Sequence, residues 1–133
     1  MSAMAGQVIG LGTDIVRIDR LAQSVSRAGA AFLEHVYAQE ELAQAPQPES
    51  SRRMEYLAGR WAAKEALAKA LGCGITGQCR LTEIVVLNDP SGQPRMSLTG
   101  AAAQTAAALG VRQCLVSITH EHEYAAATVV ATN

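Results

Sequence analysis

The chain has 133 residues, 49% of them apolar, and 11 Lys and Arg balance 12 Asp and Glu to a formal charge of −1. That length supports one hydrophobic core but not two. The near-zero charge, with only one Trp, three Tyr and one Phe, argues against nucleic-acid binding, which calls for a positive excess and stacking rings. No window approaches the length of a membrane span, and MSAMAGQVIGLG lacks the cationic segment and long apolar run of a leader. The expectation is a single cytosolic domain over 1–133, without membrane association.

Residues 7–16, QVIGLGTDIV, alternate as a strand, with Ile9, Leu11 and Ile15 on one side and Val8, Gly10, Gly12 and Asp14 on the other. Two glycines beside a carboxylate leave a bare face that something can approach closely, although an aspartate capping the next helix reads equally well. From residue 17 the period is helical: Ile18, Leu21, Val25 and Phe32 share a face, edged by Arg17, Arg20 and Arg27. The polar, proline-bearing QAPQPESSRR at 44–53 reads as a loop. A helix over about 55–71 follows, stopped by Gly72 and Gly74. Next come two strands around the turn Asp89-Pro90-Ser91-Gly92, and a short helix with Thr99 as cap and Gly110 as stop. The chain closes on two strands around His120 to Glu123. The order implies an α+β fold, a small antiparallel sheet packed with a long helix and shorter ones. Cys73, Cys79 and Cys114 are odd in number and lack a CxxC pair, which points to reduced structural thiols.

The long helix carries one anomaly. Wound at about 100° per residue, Leu57, Trp61, Ala68 and Leu71 form an apolar face with Lys64 in its middle and Arg60 one turn before it. A lysine rimmed by apolar side chains is costly to bury unpaired, and two cations at i and i+4 repel. An anion lying along the helix would relieve both. Glu65 and Lys69 at i and i+4 read as a surface ion pair. Were Asp14 to approach Glu65, the two carboxylates would suit magnesium, which binds through one or two carboxylates, its own waters and phosphate oxygens.

Four segments, IGLGTDIVRIDR, FLEHVYAQEEL, YLAGRWAAKEALAKALGCGI and VSITHEHEYAAATVV, in this order and spacing over about residues 8–130, resemble the holo-acyl-carrier-protein synthases, the short class of 4′-phosphopantetheinyl transferases. The resemblance implies transfer of 4′-phosphopantetheine from coenzyme A to a serine of an apo acyl carrier protein, releasing adenosine 3′,5′-bisphosphate. It implies Mg²⁺ held by Asp14 and Glu65, catalysis by Glu65, Lys69 and Asp14, and coenzyme A contacts from Arg60, Lys64, Lys69, Gly72, Gly74, Ser117 and His120. On this reading Lys64 faces a phosphate. Arg17, Arg20 and Arg27 would receive the acidic carrier protein. Short members of the family are trimers with sites between subunits, so a homotrimer is expected, with the alanine-rich faces at 62–70 and 101–108 as close-packing surfaces. The base for the serine proton is left open between a water on the metal and Glu65, with Glu41 a weaker third.

The chain departs from the family pattern at His35, where arginine is common, at Ala38, where threonine usually opens the next helix, and at Cys73, which replaces a threonine. Two competing functions are a coenzyme A or carrier-protein module that has lost turnover, and another magnesium enzyme such as a small pyrophosphatase. His120-Glu121-His122-Glu123 also has zinc-ligand chemistry, but its spacing fits a hairpin turn better.

Overall fold

A computed structural model describes residues 6–133; the first five residues of the segment read as leaderless lie outside the described ones. The elements are β1 (Val8–Arg17), α1 (Ile18–Ala28), α2 (Ala30–Val36), α3 (Gln39–Gln44), α4 (Arg53–Leu71), a 3-10 turn (Leu81–Glu83), β2 (Ile84–Asn88), β3 (Pro94–Leu98), α5 (Gly100–Ala108), β4 (Gln113–Glu121) and β5 (Tyr124–Thr132). β1, β5 and β4 form an antiparallel sheet in that order, and β2 and β3 form a separate hairpin. The α+β expectation holds.

The long helix α4 lies across one face of the three-stranded sheet, and the glycines of β1 explain how closely. A Cβ at Gly12 would collide with the carbonyl oxygen of Ala66, and one at Gly10 with that of Ala70. The bare face read in the sequence is therefore filled by helix backbone. Farther back along α4, Gly59 meets Ile118 of β4, so the helix crosses the sheet diagonally. Leu57, Ala58, Ala62, Ala63, Ala66, Leu67 and Ala68 of α4 are almost fully buried. The small alanines that looked like subunit-packing surface are thus spent on the chain's own core, as are Ala102 and Ala106 of α5.

The opposite face of the sheet is open. Its rows, read across β1, β5 and β4, are Leu11–Val130–Leu115, Thr13–Thr128–Ser117, Ile15–Ala126–Thr119 and Arg17–Tyr124–Glu121. Leu11 and Ile15 keep 66% and 65% of their surface exposed, a heavy exposure for large aliphatic side chains.

Two details differ from the sequence reading. The helix expected from residue 17 is two, divided at Gly29 with φ 57°. Thr99 occupies the N-cap position of α5 without capping it. The carboxylate of Glu83, held opposite by the β2–β3 hairpin, accepts instead from the amides of Ala101 (3.0 Å) and Ala102 (3.2 Å).

Candidate functional site

Because β1 alternates, Asp14 projects to the same face as Gly10 and Gly12, and their missing side chains let α4 descend to its level. The result joins positions 55 apart in sequence: Lys69 Nζ donates to Asp14 Oδ1 at 3.0 Å and to the carbonyl of Thr13 at 3.0 Å. Lys69 is thus the partner of Asp14 and not of Glu65, the pairing that i and i+4 spacing suggested. Glu65 stands beside them, half-buried. Burial first, and then the charge of Asp14, hold its carboxyl above the ordinary range, while Lys69 pulls it down. Two carboxylates within mutual repulsion, with one lysine bonded to Asp14 alone of the two, form an electrostatically unfinished group. Among the described residues no cluster of three or more His, Cys, Asp or Glu could hold a metal. A cation here would complete its shell with water or substrate oxygens, the habit of Mg²⁺ rather than Zn²⁺. The donor set therefore fits magnesium.

Lys64 is not in this group, which corrects the expectation that it faces a phosphate. It points inward, wholly buried, and its Nζ donates to Glu41 Oε1 (2.7 Å), the carbonyl of Leu81 (2.8 Å) and the carbonyl of Ile84. An ammonium has three protons, and all three are used. Glu41, considered above as a base, is enclosed with it and can take no proton from a substrate. Arg60 also turns to the interior side: it is 6% exposed, its guanidinium lies 4.1 Å over the ring of Tyr56, and one amine donates to Asn88 Oδ1 at 2.9 Å. The physical reason is helical phase. Arg60 and Lys64 are about 40° apart around α4, whereas Lys64 and Lys69 are about 140° apart, so one pair meets α3 and β2 and the other residue meets β1.

Gly72 and Gly74 lie at the end of α4 with φ of 76° and 64°, a left-handed stop that glycine tolerates. The amides of Gly72, Cys73 and Gly74 turn back to the carbonyls of Lys69 and Ala68, so the loop is first a helix cap. Cys73 is half-buried beside it. The Cys79 thiol, pushed up to about 12 by burial and then by Cys73, is inert in keeping with a structural role. Ser117 and His120 project to opposite faces of β4: Ser117 shares the open face with Leu115, while His120 reaches under to α4, where its Nδ1 meets Glu55 Oε2 at 2.8 Å. Arg17 ends β1 instead of lying on a helix, and it pairs with Asp19 at 3.0 Å. Arg20 and Arg27 are exposed on α1.

Two pairings were missed from sequence, Glu41 with Lys64 and Glu55 with His120. Glu41 is 23 residues from Lys64, with a proline-bearing loop between them; the one available signal was the lysine itself, whose burial demands a carboxylate. Glu55 as partner of His120 carried no local signal.

Known proteins resemble this chain over most of its length. A model of the 4′-phosphopantetheinyl transferase superfamily matches residues 10–129. The holo-acyl-carrier-protein synthase of Chloroflexus aggregans is 44% identical over 90% of this chain and 92% of its own, and that of Edwardsiella ictaluri is 45% identical over 93% and 97%. Among solved structures, the Neisseria meningitidis holo-acyl-carrier-protein synthase superposes with a TM-score of 0.86 at 33% identity, covering 96% of this chain and all of that one. The Helicobacter pylori synthase in complex with coenzyme A gives 0.79 at 28% identity, over 91% of this chain and 98% of its own.

Proposed function

The chain belongs to the 4′-phosphopantetheinyl transferase superfamily, and from that premise we infer that it is a holo-acyl-carrier-protein synthase. It transfers 4′-phosphopantetheine from coenzyme A to a serine hydroxyl of an apo acyl carrier protein and releases adenosine 3′,5′-bisphosphate. The observation that carries the site assignment is the meeting of Asp14 and Lys69 at 3.0 Å beside Glu65, three residues that the family resemblance nominated independently of any geometry.

The chemistry follows from what these side chains can do. Mg²⁺ held by Asp14 and Glu65 supplies Lewis-acid neutralisation of the pyrophosphate of coenzyme A when bound. Lys69, 55% exposed, has the freedom to leave Asp14 for a phosphate oxygen, and a charge-assisted bond of that kind is roughly twice as strong as a neutral one. Without metal, burial and the charge of Asp14 hold the Glu65 carboxyl above its ordinary range, an opposition that a cation shared by the two carboxylates would relieve. Arg20 and Arg27 on α1 face solvent and suit an acidic carrier protein, steering its approach rather than fixing it.

The open sheet face supports assembly. Leu11, Ile15, Leu115 and Tyr124 are 66%, 65%, 46% and 43% exposed on one surface, which a homotrimer would cover. The three free cysteines suit a reducing cytosol. Incubation with coenzyme A, Mg²⁺ and several apo carrier proteins, followed by mass spectrometry of the carrier, tests the activity. A gain of one phosphopantetheine is expected, and no gain on any carrier would overturn it. Sedimentation of Leu11→Asp against the parent tests the trimer; an unchanged mass would remove that interface.

A further inference from the structure

We propose that Lys64 and Glu41, neither of which meets substrate, are positioning residues: their buried pair fixes the stem of the loop 72–80 and the rotation of α4, and so shapes the coenzyme A side of the site. The inference rests on the reading above that Glu65, Lys69 and the glycine loop serve coenzyme A.

The pair joins four segments. Lys64 Nζ holds Glu41 on α3, the carbonyl of Leu81, which opens the 3-10 turn, and the carbonyl of Ile84, which opens β2. Glu41 Oε1 also accepts from the amide of Ala38 at 2.9 Å, and Oε2 from the amide of Val86 in β2 at 2.9 Å. Every donor and acceptor of the pair therefore points at a particular neighbour. The chain leaves α4 at Leu71 and returns at Leu81, so the loop 72–80 hangs between two ends that both refer to the same helix. Its outgoing end is the glycine cap on Ala68 and Lys69, and its incoming end is the Leu81 carbonyl on Lys64. Between those ends it is hydrogen-bonded by the Thr76–Cys79 pair and by Thr105 Oγ1 donating to the Gln78 carbonyl at 2.7 Å, and it is packed through Ile75 and the fully buried Cys79. Lys64 and Glu65 are adjacent, about 100° apart around the helix. With Lys64 locked inward, Glu65 is committed to the β1 edge.

Stability alone does not call for an ion pair here, because well-packed apolar residues of similar volume commonly replace such a pair without loss. Apolar residues would fill the space but hold no carbonyl in place. That difference separates a positioning role from a structural one.

The test is the double variant Lys64→Met with Glu41→Leu. Melting at or above the parent temperature is expected. Hydrogen exchange of the amides in 72–80 should accelerate about tenfold, and KM for coenzyme A should rise about tenfold while KM for carrier protein stays within about twofold. A folded double variant with parental exchange and parental KM would overturn the proposal. If it does not fold, Lys64→Gln with Glu41→Gln is judged by the same two readouts. Failure of both pairs to fold would also overturn the proposal, since the pair would then be inseparable from stability. The exchange measurement needs no substrate, so it judges the pair even if the parent proves unable to use coenzyme A.

Discussion

Lys64 and Lys69 sit five residues apart on one helix, each with its Nζ within 3.0 Å of a carboxylate, yet one belongs to the core and the other to the site. Lys64 and Glu41 are fully enclosed, and three acceptors take all three protons of the ammonium. Among the described residues Lys69 has two acceptors, and the neighbouring Glu65 has no cation of its own; the Lys69 side chain is 55% exposed. The difference teaches that an ion pair marks function when its hydrogen bonding is incomplete. A finished network specifies structure, whereas an unfinished one in reach of solvent keeps capacity for a ligand.

The largest effect that could break this comparison falls on the core. Removing one partner, by Glu41→Ala or Lys64→Ala, strands a buried charge and should cost about 3–5 kcal/mol of stability, read by denaturant unfolding. A cost below about 1 kcal/mol would mean that water reaches the pair.

Next are Asp14→Ala and Glu65→Ala. Each should lower the transfer rate by about 10²–10³-fold, the scale of losing a group that stabilises transition-state charge, while the protein stays folded by circular dichroism. If either variant keeps near-parental turnover at saturating Mg²⁺, the assignment of these carboxylates to the metal fails.

Smaller again is Lys69→Met. Its pairing is exposed, so stability should change by less than about 1 kcal/mol, whereas coenzyme A binding should weaken by about 1.5–3 kcal/mol, the worth of a hydrogen bond to a charged group. Thermal shifts with and without coenzyme A measure both quantities. An unaltered ligand-induced shift would leave Lys69 as a surface lysine.

Much of this contrast lay beyond what local pattern carries. The strand at residue 8, the long helix and the two hairpins were legible because their apolar periods and turn residues are local properties. The charges at 14, 65 and 69 were legible as chemistry. Their meeting depends on Gly10 and Gly12 admitting the carbonyls of Ala70 and Ala66, and the bare face could be seen in the sequence but not its occupant. Lys64 was misread because its partner lies 23 residues away on α3, a separation no helical period encodes. The opposite orientations of Ser117 and His120 were readable, since residues three apart on a strand face opposite ways. Thr99 was assigned a cap that Glu83 supplies from across the hairpin, a tertiary substitution for a local rule.

The last prediction turns the comparison into opposite signs for one change of chemistry. Glutamate to glutamine removes a charge and keeps the shape. At position 41 the charge is compensated, so Glu41→Gln should destabilise at neutral pH by stranding Lys64. At position 65 it is opposed by burial and by Asp14. A carboxyl whose folded pKa is raised contributes its stability below the ordinary value of 4.5, and that contribution is lost as pH rises through the folded value. The parent therefore carries a penalty at neutral pH that Glu65→Gln lacks. In chelator, Glu65→Gln should melt above the parent at pH 7, and the gap should close as pH falls toward 4. Adding Mg²⁺ should reverse the order, because binding to the native state stabilises the parent by mass action and the amide is a poor ligand for it. Melting curves at pH 4, 5, 6 and 7, with and without Mg²⁺, give the answer. A Glu65→Gln protein less stable than the parent at pH 7 in chelator would mean that Glu65 is as well compensated as Glu41, and the distinction between a finished and an unfinished pair would fall.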